Sequence, residues 1–218
     1  WAEALAAFAR SGGFAGCGDP LPSQSLHVIW GANDRILRTP QKQALQAMLD
    51  QPVETFPSCG HLPHIDQPHK VAERCHSLLA DGNRLITIHG PGGAGKTRVS
   101  QQLGREVAES TKSPCWFVDI TEATDLAGIM LQTASVLQVK LTDTTDAQAL
   151  ETLGTAMAGQ GAALFIFDNC EQAVADVAVA IATWLQHAPD AAFLVTTREP
   201  LNIQGEHVFP LAPLPELD

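Results

Sequence analysis

RLITIHGPGGAGKT, residues 84–97, decides how this chain is read. Its first half, Leu85 to Ile88, is an apolar run of the length of a buried strand. Its second half, Gly90 to Thr97, matches the phosphate-binding pattern G-x-x-x-x-G-K-[ST]. The spacing has a physical basis. Gly90, Gly92, Gly93 and Gly95 permit backbone conformations that side chains forbid, so successive N–H groups can turn inward on phosphate oxygens. A helix starting near Lys96 adds the positive end of its dipole. Lys96 then reaches the terminal phosphates, and the Thr97 hydroxyl ligates Mg²⁺. The plainer reading is a glycine-rich turn. The strand before it and the helix after it favour ATP or ADP with Mg²⁺.

Working outward, the pattern from residue 83 onward alternates strand and helix, as in an α/β layered sheet. Strands are expected at 85–88, 115–120, 164–168, 192–196 and 207–211. Helices are expected at 97–110, 126–137, 147–158 and 173–187, the last with Trp184 at its edge. In Leu164-Phe165-Ile166-Phe167-Asp168, four apolar residues end in a carboxylate. A buried parallel strand of this form brings its C-terminal acid to a nucleotide, so Asp168 is the candidate metal-holding residue. Glu171 is the candidate for orienting or deprotonating an attacking water; its plainer role is to cap the next helix. Asn169 stands where many ATPases of this type carry a second acid, which predicts slow turnover. Arg198, after Thr196-Thr197 at a strand end, suits a γ-phosphate sensor, or else a surface ion pair. The prolines between 210 and 215 read as a linker.

Composition narrows the classes. Hydrophobic residues make up 45% of the 218, enough for a buried core. The formal net charge of −11, from 13 basic and 24 acidic residues, disfavours nucleic acid as a partner of this segment. It leaves DNA binding to a further domain. No apolar run approaches a membrane span. The five cysteines include no C-x-x-C pair and read as reduced thiols of a cytoplasmic protein. A chain that opens at Trp1 rather than Met predicts a piece of a longer protein.

The first eighty residues read as a helix (1–10), a loop (11–25), a strand (26–30) and a helix (40–49) with Leu45, Met48 and Leu49 on one face. A strand (53–56) and a helix (69–79) burying Val71, Cys75, Leu78 and Leu79 follow. The runs LHVIWGANDRIL (26–37) and FPSCGHLPHIDQPHKVAE (56–73) resemble the last third of an α/β-hydrolase. The resemblance implies Asp34 as the acid and His61 as the base of a catalytic triad. It departs from the family in lacking a G-x-S-x-G nucleophile, without which the pair has nothing to activate. Ser58 and Cys59 stand too close to His61 in sequence to substitute. Asp34 and His61 are therefore expected to be vestigial, and hydrolysis by this chain alone is not expected. Read plainly, Asp34 is a turn residue and His61 a loop histidine. His61, His64 and His69 lack a convincingly spaced set of metal ligands. Strands evolved for a larger sheet are expected to pack less well than the rest.

RLITIHGPGGAGKTR (84–98), LFIFDNCEQ (164–172) and LVTTREPLNIQGEHVFPL (194–211) together resemble the nucleotide-binding domain of the NB-ARC-like, signal-transducing STAND ATPases. That resemblance implies an ASCE-type P-loop NTPase sheet, with the Thr196 strand between the strands of Leu85 and Leu164. It further implies slow hydrolysis used as a switch, nucleotide-dependent domain packing, and self-association in the ATP state. Bacterial members of that group are often transcriptional regulators with winged-helix or LuxR-type DNA-binding domains and helical repeats, and the resemblance implies that the helical and winged-helix lids of the nucleotide pocket would follow Asp218. The expected division is a hydrolase-like segment at 1–80 and a P-loop domain at 81–218. The alternative is an ester or acyl hydrolase fragment fused to the ATPase, with its catalytic Ser outside this chain.

Overall fold

The computed structural model describes residues 25–26, 28–36, 39–48, 53–142 and 145–211. The expected helix over 1–10, nearly all of the following loop, Leu49 and the tail beyond 211 lie outside them, as do the side chains of Leu45 and Met48.

Strands and helices alternate as the apolar pattern dictates. In chain order they are β1 (Ser25–Leu26), β2 (Ile29–Gly31), α1 (Thr39–Met48), β3 (Glu54–Phe56), α2 (Pro63–Asp66) and α3 (Pro68–Ala80). The second part comprises β4 (Leu85–His89), α4 (Lys96–Thr111), β5 (Cys115–Asp119), α5 (Leu126–Leu137) and α6 (Asp146–Ala158). It ends with β6 (Leu164–Asp168), a 3₁₀ turn (Cys170–Gln172), α7 (Val174–His187), β7 (Ala192–Thr197) and β8 (Glu206–Pro210). A parallel six-stranded sheet runs β1-β8-β4-β7-β6-β5. β7 sits between β4 and β6, the order expected of an ASCE-type P-loop fold.

The period-two alternation of strand side chains builds a core on each face of the sheet. Phe165, Phe167, Phe193 and Val195 point to one side, against α5, α6 and α7. Leu164, Ile166, Ile86, Ile88 and Leu194 point to the other, against α3 and α4. Trp184 is fully buried rather than at an edge, stacked on Phe167 at 5.4 Å between ring centroids. Its indole N–H donates to the Leu150 carbonyl at 3.1 Å, which satisfies the polar end of a buried ring. Gly104 lets α4 approach the sheet: a Cβ there would lie 2.9 Å from Ile166 Cδ1.

The N-terminal segment differs from its expected form in two ways. The single strand expected over 26–30 is two strands. β1 pairs with β8 at the edge of the large sheet, whereas β2 pairs in parallel with β3 in a separate two-stranded sheet. The segment is also not uniformly loose. Phe56, Cys59, Val71, Ala72, Cys75 and Leu78 join one core with Ile86, Val99, Leu103 and Val107. Among the described residues of the segment, Trp30 and Val53, with Val28 beside them, form a small cluster of their own. The amphipathic face of α3 explains this, because it covers α4 where the remnant of a larger sheet would not.

Candidate nucleotide-binding site

Parallel strands deliver their C-terminal ends to one edge of the sheet, and β4, β6 and β7 meet there. From β4 the chain enters the phosphate loop. Gly93 and Gly95 have φ of +75° and +83°, a left-handed conformation that a side chain would strain. Gly90 is needed for another reason: a Cβ there would lie 2.4 Å from the Leu211 carbonyl oxygen. Lys96 opens α4 and is buried, its ammonium donating to the carbonyls of Gly90 at 2.9 Å and Pro91 at 3.1 Å. Burial lowers its pKa, opposed by the Glu171 carboxylate and reinforced by the Arg198 guanidinium.

Asp168 ends β6 with only 1% of its surface exposed. Thr97 donates to one carboxylate oxygen at 2.7 Å and Thr196 donates to the other at 2.5 Å. Burial raises the Asp168 pKa, and the two hydroxyls offset part of that rise. Thr196 also accepts the N–H of Asn169 at 3.0 Å, which fixes Asn169 in a left-handed conformation with φ of +63°. The Asn169 amide in turn donates to Asp119 at 3.1 Å. The Thr121 hydroxyl, and to a lesser degree this amide, hold Asp119 below the ordinary carboxylate range. Sequence reasoning placed Thr196 on the right strand but missed that it clamps Asp168. The signal was present in the threonine pair that ends an otherwise apolar strand.

Glu171 and Arg198 come together over the loop in an ion pair of 3.5 Å, with the guanidinium mostly in solvent. A Cβ at Gly92 would lie 3.8 Å from Arg198 Nη2, so the guanidinium overhangs the phosphate loop. Glu171 Oε2 and Thr197 Oγ1 are buried without a hydrogen-bond partner. Such atoms are costly unless something pairs with them. Together with the hydroxyl of Thr97 and the carboxylate of Asp168, they supply the oxygen donors that Mg²⁺ and its water shell take. The residues present therefore fit a magnesium nucleotide.

Glu206, also missed by sequence reasoning, shapes the loop after Arg198. It is 3% exposed and accepts the N–H groups of Leu201 and Asn202, each at 2.8 Å. A carboxylate that receives two main-chain donors fixes the turn between β7 and β8.

The N-terminal pair is also assembled. His61 Nδ1 lies 2.9 Å from Asp34 Oδ2, and Asp34 Oδ1 accepts the Ile36 N–H at 2.8 Å. β2 and β3 bring them together: a Cβ at Gly31 would fall 1.7 Å from the Gly60 carbonyl oxygen, so this crossing tolerates only glycine. Cys59 is fully buried, and burial raises its pKa, which leaves an inert thiol beside the pair.

A family model described as an AAA domain matches residues 79–199, more than half of the chain. The chain belongs to the AAA family. The AAA ATPase domain thus accounts for the phosphate loop and the sheet that carries it. A second model, of the alpha/beta hydrolase family, matches residues 1–74. A Mycobacterium tuberculosis protein named as an HTH-type transcriptional regulator is 34% identical over 130 residues, covering 60% of this chain. An uncharacterized M. tuberculosis protein is 28% identical over 137 residues, covering 63%. The chain spans 14% of the first relative's length and 34% of the second's. Among solved structures, Cdc6p from Pyrobaculum aerophilum superposes with a TM-score of 0.55 at 15% identity, over 69% of this chain and 46% of that one. That likeness is one of fold. Among the described residues no helix is long and apolar enough to cross a membrane.

Proposed function

We propose that the AAA domain is a nucleotide switch of the NB-ARC-like STAND type, binding Mg²⁺-ATP and hydrolysing it slowly within a larger, cytoplasmic signalling or transcriptional regulator. The observation that carries this reading is the 2.7 Å hydrogen bond from Thr97 to Asp168, which joins the phosphate loop to the strand-end carboxylate. Gly90, Gly92, Gly93 and Gly95 cradle the phosphates, Lys96 neutralises their charge, and Thr97 and Asp168 hold the metal. When bound, Mg²⁺ neutralises charge on the β- and γ-phosphates.

The slow rate follows from two features of the chain. Glu171, the candidate base, is paired with Arg198 rather than free. Asn169, the residue after Asp168 in the chain, is an amide and not an acid, and its side chain is engaged by Asp119. Arg198 moves from Glu171 to the terminal phosphate when ATP arrives, which frees the carboxylate to orient water and reports the nucleotide state. That report is expected to drive domain packing and self-association. The transcription-regulator name of the relative supports the regulatory setting, with DNA contacts made by another domain because this segment carries a net charge of −11.

Asp168→Ala is expected to remove the magnesium dependence of ATP binding while the domain stays folded. Titrations of ATP with and without Mg²⁺, beside a thermal melt, test this; an unchanged metal dependence rejects Asp168 as the metal-holding residue.

The 2.9 Å contact between Asp34 and His61 supports a second reading for residues 1–80. They are the C-terminal part of an ester or acyl hydrolase whose nucleophile lies outside this chain, fused to the switch domain at about residue 81. In this chain alone the pair is vestigial.

A further inference from the structure

His64 belongs to the hydrolase-like segment, yet it lies under the phosphate loop. It sits in the short helix α2 and is 2% exposed. Its Cδ2 lies 3.4 Å from the position a Cβ would take at Gly95, and the Ala94 main chain lies close enough to favour the protonated ring. Nε2 is buried with no hydrogen-bond partner. Ala94 itself is fully buried, and its N–H donates to Pro91 O at 3.3 Å across the loop. A ring wedged beneath two successive loop residues leaves them little room to move.

We infer that His64 is a positioning residue for nucleotide binding: from the hydrolase-like segment it braces Ala94 and Gly95 so that the loop amides are preset for phosphate. The inference rests on the nucleotide-switch reading. Gly93 and Gly95, both at positive φ, have more backbone freedom than other residues, and holding them in one conformation costs entropy. A support fixed from outside the loop lowers that cost before the ligand arrives. Two surroundings make the support rigid. α2 is tied by the bond from Gly60 N–H to Asp66 Oδ2 at 2.7 Å and by that from Gln67 N–H to Pro63 O at 2.8 Å. α3, which follows directly, packs its Val71, Ala72, Cys75 and Leu78 into the core shared with α4. The hydrolase-like segment is thus a working part of the ATPase, while its own acid–base pair stands aside at Asp34 and His61.

The test is equilibrium binding of Mg²⁺-ATP to the full 218-residue chain, with wild type, His64→Ala, His64→Asn, Cys75→Ala and Lys96→Ala compared by calorimetry and each variant's melt recorded. If removing the brace leaves the loop preset about one-tenth of the time, affinity falls roughly tenfold in His64→Ala. His64→Asn, which keeps a planar polar group beneath the loop, is expected to recover most of that loss; if the alanine variant does not fold, His64→Ser, which empties the same space, takes its place with the same loss expected. Cys75→Ala perturbs the same core without touching the loop and is expected to bind like wild type. Binding by His64→Ala within twofold of wild type overturns the inference, as does an equal loss in Cys75→Ala. Equal binding by Lys96→Ala and wild type, or none by wild type, rejects the nucleotide reading itself and the brace with it.

Discussion

Two hydrogen-bonded carboxylates organise two ends of this molecule, and they differ in what surrounds them. Asp168 ends a fully buried strand in a six-stranded sheet, and its oxygens are claimed by Thr97 and Thr196. Asp34 follows a three-residue strand in a two-stranded sheet, and it holds a histidine. Each pair has sound geometry. Around Asp168 stand the loop, the ammonium of Lys96, a second carboxylate and a guanidinium, so a whole reacting ligand has somewhere to lie. Around Asp34 and His61 the nearby thiol is buried and protonated. The two sites differ in what they need: a dyad needs only the two strands that carry it, whereas a phosphate site needs the whole sheet edge.

The comparison breaks most visibly at the two tryptophans. Trp184→Ala removes a fully buried ring from the main core and is expected to cost about 3–5 kcal/mol. Trp30→Ala removes a ring that packs mainly on Val53 and Val28, with an expected cost of roughly 1–2 kcal/mol. Chemical denaturation of the two variants checks this, and equal costs would mean that the N-terminal segment is as well supported as the ATPase core.

A smaller effect sharpens the boundary between the two regions. Burial pushes His64 down to about 4 from an ordinary 6.5, so the folded chain holds it neutral while the unfolded chain protonates it. Because the unfolded state then binds the extra proton, stability falls as pH drops from 6.5 towards about 4. The limit of this contribution is ~3 kcal/mol. Urea midpoints measured across that window are expected to fall less steeply in His64→Asn than in wild type; parallel slopes would show that His64 carries none of the acid sensitivity. The smallest effect expected is zero. His61→Ala leaves nitrophenyl-ester turnover at the same background as wild type, and turnover lost on that substitution would mean that the dyad still works.

Much of the sheet was legible because each strand announces itself twice. β6 is an unbroken apolar run that ends at Asp168, and β4, apolar but for Thr87 and His89, leads straight into Gly90; each of those residues names its place by its chemistry. The sheet order followed from the resemblance, not from periodicity, which carries no information about which strands are neighbours. The burial of Trp184 was misjudged because a helix pattern gives a face, not the depth of what covers it. The split of residues 26–30 between two sheets was hidden for a related reason: five apolar or aromatic-rich residues read as one strand whichever partners they find. In the site, Lys96, Thr97 and Asp168 were readable from spacing, and Asp34 and His61 from the hydrolase resemblance. Thr196, Glu206 and His64 were not, since each acts through a contact with a residue distant in sequence or in a different motif.

The central claim is that the amides of residues 90–97 and the ammonium of Lys96 hold a nucleotide's phosphates. Calorimetric titration of Mg²⁺-ATP into wild type and Lys96→Ala tests it most directly. Saturable binding in the micromolar to millimolar range, roughly −8 to −4 kcal/mol, is expected for wild type and none for the variant. Equal binding by both, or no binding by wild type, would contradict it.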